Sequence, residues 1–342
     1  MYKVQPPRLL MTFRQNWKWK KGCDPDRSVK MHSLFEGTNF DFMGRQKLAT
    51  WFSGITMVLS FVAIFGMGLN LGVDFTGGYT MELAYQESPD LPTIRTALET
   101  AELGDTLVQN FGTAKSVLVR IAPQEGLAAN TISQTVLTAL KTTSDSSISV
   151  RSVDFVGPQV GEELREKGGL SILIALGAIA VYVWMRYEKK FAVGAILATV
   201  HDIIVTIGFF ALFGIEFNLT VLAALLAVIG YSLNDTIVVY DRIRENFRKI
   251  RDASPEQVMN DAINQTLSRT LITSGTTLMV VVSMLLLGGP TIHGFALALL
   301  IGIGYGTYSS IFVASMTVKA MGISREDLLP VEKEGTELDS LP

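Results

Sequence analysis

The stretch from Leu219 to Arg251, LTVLAALLAVIGYSLNDTIVVYDRIRENFRKIR, limits what this chain can fold into more than any other. It reads as one helix, apolar for about 22 residues to Tyr240, roughly the length that crosses a bilayer core, and then basic. Within the apolar part lies an Asn234-Asp235 pair that the pattern predicts to be buried. A carboxylate near the middle of such a helix costs at least ~2.5 kcal/mol unless it finds a partner, water or a proton. Asp235 is about 15 residues from the start, roughly 22 Å into a ~30 Å core at 1.5 Å per residue. A helix end wetted by headgroups also fits that depth. Against it, Ile237, Val238, Val239 and Tyr240 separate Asp235 from the first Asp-Arg, Asp241-Arg242. The pattern favours a buried, titratable acid.

Composition agrees with a membrane protein carrying one hydrophilic insert: 48% of the 342 residues are hydrophobic and 18% charged. A net charge of -3 says little about partners. Cys23 is the only cysteine, which excludes an intrachain disulfide. His32, His201 and His293 are scattered, and there is neither a Cys/His cluster nor a GxxxxGK loop, so no metal, nucleotide or other cofactor is expected and no enzyme active site is evident.

Residues 1 to 47 carry ten Lys/Arg and no long apolar run, a basic tail expected to be cytoplasmic and partly disordered, with Trp17-Lys18-Trp19-Lys20-Lys21 able to rest on an anionic membrane face. Residues 48 to 70 form the first predicted span. The segment 71 to 167 reads as a compact hydrophilic domain on the far side. It opens with LGVDFTGGYTMEL, where Gly77-Gly78 mark a bend or a close backbone approach and Tyr79, Met81, Leu83 and Tyr85 alternate as in a half-buried strand. A helical pattern with Ile94, Leu98 and Ala101 follows, then strands Thr106 to Phe111 and Ser116 to Ile121. A second helical pattern with Ile132, Val136, Leu137 and Leu140 precedes a last strand, Ile148 to Val156. The order βαββαβ matches the ferredoxin-like α+β unit. Asp74, Glu82 and Asp154 read as solvated or capping groups.

Residues 168 to 318 hold five more predicted spans. His201-Asp202 falls about 10 residues into the third, near the midplane; it is either a neutral pair satisfied by neighbouring helices or a pair that handles protons. Residues 241 to 268 form a cytoplasmic amphipathic loop, with Ile243, Phe247 and Ile250 as an apolar stripe and Ser254, Pro255 and Gln257 as a cap, first-turn proline and capping box. That pattern suggests surface helices lying on the leaflet. The fifth span starts at Thr270, immediately after Arg269. Because the fourth and fifth spans are antiparallel and share this loop, Asp235 and Arg269 fall at neighbouring helix ends and are expected within reach of each other, a pairing that a proton can switch. Snorkelling to the headgroups is the plainer role for Arg269. Thr270, Thr273, Ser274 and Thr277 form a polar seam, and Gly302, Gly306 and Ser310 predict tight helix packing. Residues 319 to 342 read as an acidic cytoplasmic tail.

Six spans, one large domain between the first two, LGVDFTGG, His201-Asp202, GYSLNDTIVVYDRIRENFRKIR and SRTLITSGTTL together resemble the SecF family of the bacterial Sec protein-export machinery, part of the resistance-nodulation-division superfamily. The resemblance covers about residues 36 to 325. It implies an inner-membrane location with residues 71 to 167 periplasmic and both termini cytoplasmic. It also implies pairing with SecD, association with the SecYEG channel, YajC and YidC, work alongside the ATP-driven SecA, and use of the proton gradient in the late stage of export. Asp235 and Arg269 match the family residues tied to proton movement, and His201-Asp202 belongs to its pattern. A small-molecule exporter half of the same superfamily and a scaffold that moves no protons are the alternatives.

Overall fold

Helix α1 starts at Gln46 and runs to Val62, then loosens into a π-turn over Ala63–Met67 and stops at Gly68, whose φ of 77° is in the left-handed region open to glycine. The computed structural model describes residues 39–101, 103, 106–123, 129–143 and 148–328, so most of the basic tail and residues 329 to 342 of the acidic tail lie outside the described residues. The last described part of the tail docks instead of trailing: Asn260 Oδ1 accepts from Phe42 N at 2.8 Å, and Asn264 Oδ1 from Phe40 N at 2.9 Å.

A four-residue helix, α2 (Val73–Thr76), then leads through Gly77 and Gly78 straight into strand β1 (Gly78–Tyr85). Helix α3 (Leu91–Thr100), β2 (Thr106–Phe111), β3 (Thr113–Ile121), α4 (Ala129–Thr143) and β4 (Ile148–Val156) complete the domain. The sheet order is β2-β3-β1-β4, every pair antiparallel. Alternation puts Tyr79, Met81, Leu83 and Tyr85 on one face of β1, where they close over Ile94 and Leu98 of α3 and Ile132, Val136 and Leu140 of α4. The opposite face carries Gln109 and Arg120, which reach the loops between the long helices.

Six helices are long and apolar enough to cross a membrane. After α1 these are α5 (Pro158–Arg186), α6 (Lys189–Leu212), α7 (Leu219–Lys249), α8 (Pro255–Leu287) and α9 (Pro290–Ser309); the last is continued by a π-turn at Ser310–Ala314 and a short α10 (Ser315–Ala320). Helices α6, α7 and α9 are the most buried. Their closeness depends on small residues: a Cβ on Gly302 would lie 2.3 Å from Val228 Cγ2, and one on Gly306 3.0 Å from Ser232 Cβ. The repeat of small residues read from the sequence thus lies where α9 meets α7.

Two features depart from the sequence reading. The stretch 241 to 268 is not a pair of surface helices. Helix α7 continues to Lys249, α8 begins at Pro255, and Ile243, Phe247, Val258, Met259, Ala262 and Ile263 are buried in one cluster with Met43 and Tyr187. The Ser254–Gln257 capping box starts α8, which runs on through Gly275 to Leu287, so the amphipathic part and the span are one helix. Helix α5 likewise begins at Pro158, ahead of its apolar stretch. Gly161 lets it approach the strand entry, since a Cβ there would lie 2.7 Å from Gly77 N.

Candidate functional site: two buried carboxylates between the helices

Asp202 and Asp235 are the acidic side chains buried inside the helix bundle among the described residues, at 1% and 2% exposure. Asp202 is on α6, and its carboxylate is surrounded by donors from three helices. Ser232 Oγ on α7 donates to Oδ2 at 2.5 Å, Ser309 Oγ on α9 donates to the same oxygen at 2.7 Å, and His201 Nδ1 lies 3.1 Å from Oδ1. Each donor offsets part of the cost of burying the group. His201 is also buried, and its Nε2 has no partner among the described residues.

Asp235 sits on α7 one turn beyond Ser232, so the two project from one side of that helix. Ser274 Oγ on α8 donates to Asp235 Oδ2 at 3.1 Å, Thr307 Oγ1 on α9 donates to Ser274 Oγ at 2.8 Å, and the Tyr231 hydroxyl reaches Ser274 and Thr277 at 3.5 and 3.3 Å. Two polar clusters therefore pack where α7 meets α9, one reaching to α6 and the other to α8. Of the seam read along α8, Thr270 and Ser274 are buried, Thr273 is exposed and Thr277 half-buried. Thr270 Oγ1 has no partner among the described residues.

Asn234 is not buried beside Asp235, as the sequence reading had it, but exposed. Neighbours on a helix point about 100° apart, so one faces the bundle while the other faces away. Arg269 is exposed as well. It lies near enough for its charge to act on Asp235, but no ion pair joins them among the described residues. Ser232, Thr307 and Ser309 were not singled out from the sequence. The signal for them was present: Ser232 stands one turn before Asp235, and Thr307 and Ser309 belong to a polar run, Tyr305-Gly306-Thr307-Tyr308-Ser309-Ser310, inside an otherwise apolar span.

Asp74 is far from this cluster and acts as a cap. Its Oδ2 accepts from Leu219 N at 2.9 Å, at the first residue of α7, while Asn218 Oδ1 accepts from Val221 N at 3.1 Å. Gly77 and Gly78 have φ of 71° and 122°, and Cβ atoms there would lie 2.9 Å from Pro158 Cα and 2.5 Å from Ile121 O. Both positions therefore require glycine, for backbone conformation and for space. Glu82 pairs with Arg151 at 3.1 Å, and Asp154 is exposed.

A bundle of six long apolar helices with carboxylates buried between its members, and a folded domain inserted after the first helix, is the build of a multi-pass membrane protein. Comparison with known proteins sharpens that class. The family model for the protein export membrane protein SecD/SecF, C-terminal, matches residues 135–324, and that for the SecD/SecF GG motif matches residues 62–89. The protein translocase subunit SecF of Vibrio alginolyticus is 50% identical over 303 residues, covering 88% of this chain and 96% of that protein. The SecF of Escherichia coli O157:H7 is 43% identical over 305 residues, covering 88% and 94%. The crystal structure of SecDF from Thermus thermophilus, described as a translocon-associated membrane protein, matches with a TM-score of 0.76 at 37% identity, covering 83% of this chain and 39% of that longer one. The chain belongs to the SecF family of protein translocase subunits.

Proposed function

We propose that this translocase subunit is proton-coupled and non-catalytic, and that with a SecD partner it uses the proton gradient to assist the late stage of export across the bacterial inner membrane. In this reading residues 71 to 167 are a periplasmic, ferredoxin-like domain, both termini are cytoplasmic, and the assembly works with SecYEG, SecA, YajC and YidC without a bound cofactor. The observation that carries the reading is Asp235: a carboxyl group at 2% exposure on a membrane-spanning helix, bonded among the described residues to the hydroxyl of Ser274, with the Arg269 guanidinium nearby and no ion pair between them among those residues. An acid so placed takes up a proton at little structural cost, and doing so weakens the attraction between Asp235 and Arg269. The His201-Asp202 pair on the adjacent helix is buried as well, with more donors on its carboxylate. About 2.3 kcal/mol is available per charge moved through 100 mV, enough to bias a two-state arrangement of the helices.

Asp235→Asn keeps the shape of the side chain and removes its titration. Export in intact cells carrying this variant is expected to lose its dependence on the proton gradient while the protein still assembles in the membrane. Export that keeps its full dependence in a normally assembled variant would refute the proposal.

A further inference from the structure

The LGVDFTGG segment grips the end of α7, and nothing about a buried acid sixteen residues further along that helix requires it to. Three sets of bonds make the grip. Main chain joins main chain: Gly72 N donates to Phe217 O at 2.9 Å and Phe217 N to Asn70 O at 2.8 Å, a short parallel bridge between Leu71 and Phe217. Asp74 Oδ2 accepts from Leu219 N at 2.9 Å. From the sheet, Arg120 on β3 donates through Nη2 to Leu71 O at 2.5 Å, with Nη1 3.9 Å from the Glu216 carboxylate, and Gln109 on β2 donates to Glu216 at 3.5 Å. Phe75 packs on Phe217 with ring centroids 6.0 Å apart. No room is left for slack: a Cβ on Gly72 would lie 2.9 Å from Asn218 Cβ.

We propose that Asp74 and Arg120 are positioning residues that fasten the β-sheet to the first turn of α7, so that any displacement of the helix carrying Asp235 passes directly into the extramembrane domain. Two features of the chain make the link stiff. Helix α7 runs unbroken from Leu219 to Lys249, and α2 joins β1 through Gly77-Gly78 with no intervening linker. The inference deepens the proton-coupled reading and rests on it.

Amide hydrogen exchange of the full-length protein in lipid nanodiscs tests both. Asp235→Asn is expected to alter exchange in β1 and β3 relative to the parent. In an Asp74→Ala/Arg120→Ala background that difference is expected to vanish while the sheet keeps its protection, a loss of response that a purely stabilising role would not produce. Asp74→Asn, whose amide oxygen still accepts from Leu219 N, is expected to retain the response. A response that survives undiminished in the double variant overturns the clasp but leaves proton coupling standing. The absence of any response in the parent overturns both. If the double variant loses sheet protection altogether, a Leu71→Cys/Phe217→Cys disulfide added to it in a Cys23→Ser background decides: a response that returns when the disulfide forms and goes when it is reduced supports the inference, and one that does not follow the disulfide overturns it.

Discussion

Asp202 gathers donors from three helices onto one carboxylate, so its removal is felt well beyond α6. Asp202→Ala leaves the buried Ser232 hydroxyl without its acceptor, at about 1–3 kcal/mol for a group left unsatisfied, while Ser309 Oγ keeps Gly306 O at 3.2 Å. A clear drop in the thermal unfolding temperature of the detergent-solubilised protein is expected, with a smaller drop for Asp202→Asn. Tyr85 makes the opposite case. Its hydroxyl is buried without a partner among the described residues, and burial pushes its pKa from the usual 10.0 up to about 12. The folded state therefore keeps a proton that the unfolded chain has lost, and the resulting stability is intact below about pH 10 and lost as pH rises towards 12. Tyr85→Phe is expected to stabilise the domain by about 1 kcal/mol and to remove this share of its alkaline sensitivity, read by hydrogen exchange in β1 across that range. Asp235 was legible in the sequence because an apolar run around a carboxylate is rare. Its neighbour was not: choosing between Asn234 and Asp235 requires knowing which side of α7 meets α8 and α9, and that depends on residues more than thirty positions away. Ser232 and Ser309 carried only the weaker signal of polar positions in apolar spans; serine hydroxyls occur in many helices, and tertiary packing alone selects these two as partners of Asp202.

At the level of elements, α7 and α9 touch through glycine. Gly302→Leu drives side-chain atoms into Val228, an overpacking that costs about 1–3 kcal/mol. Val228→Ala in the same chain is expected to restore part of the loss, and a double-mutant cycle on unfolding temperature measures that recovery; two independent, additive losses would show that the helices meet elsewhere. The strands were legible to the residue at several ends, as for Thr106–Phe111 and Ile148–Val156, because alternation such as that along Tyr79, Met81, Leu83 and Tyr85 is a local signal. The fate of residues 241 to 268 was not. An amphipathic stripe has the same period whether it lies on lipid or on protein, and only the structure shows Phe247 and Met259 in the same buried cluster as Tyr187. The Tyr187 hydroxyl donates to Asp241 at 2.8 Å, and burial together with that bond raises its pKa well above the ordinary tyrosine value.

For the molecule as a whole, Asn234 and Arg269 stand out because each presents a polar group away from this chain's own core. Such groups on membrane-spanning helices are costly against lipid alone, which suits a surface that the proposed second half of the assembly covers. Asn234→Cys is expected to react readily with a membrane-permeant thiol reagent in the isolated chain, in a Cys23→Ser background, and several-fold more slowly once that partner is bound; equal rates would place the interface elsewhere. The docking of the sheet on the helices was hidden from the sequence for a related reason, since Arg120 and Leu71 are 49 residues apart and nothing local announces their bond. Helix α7 itself is 31 residues long, roughly 46 Å at 1.5 Å per residue, and lacks the π-turns that soften α1 and the end of α9. Under the orientation proposed above, such a helix is a mast stepped through the membrane: a push on its basic foot at Arg248 and Lys249 would tilt its head against the sheet and put the two aqueous compartments in mechanical conversation along a single backbone.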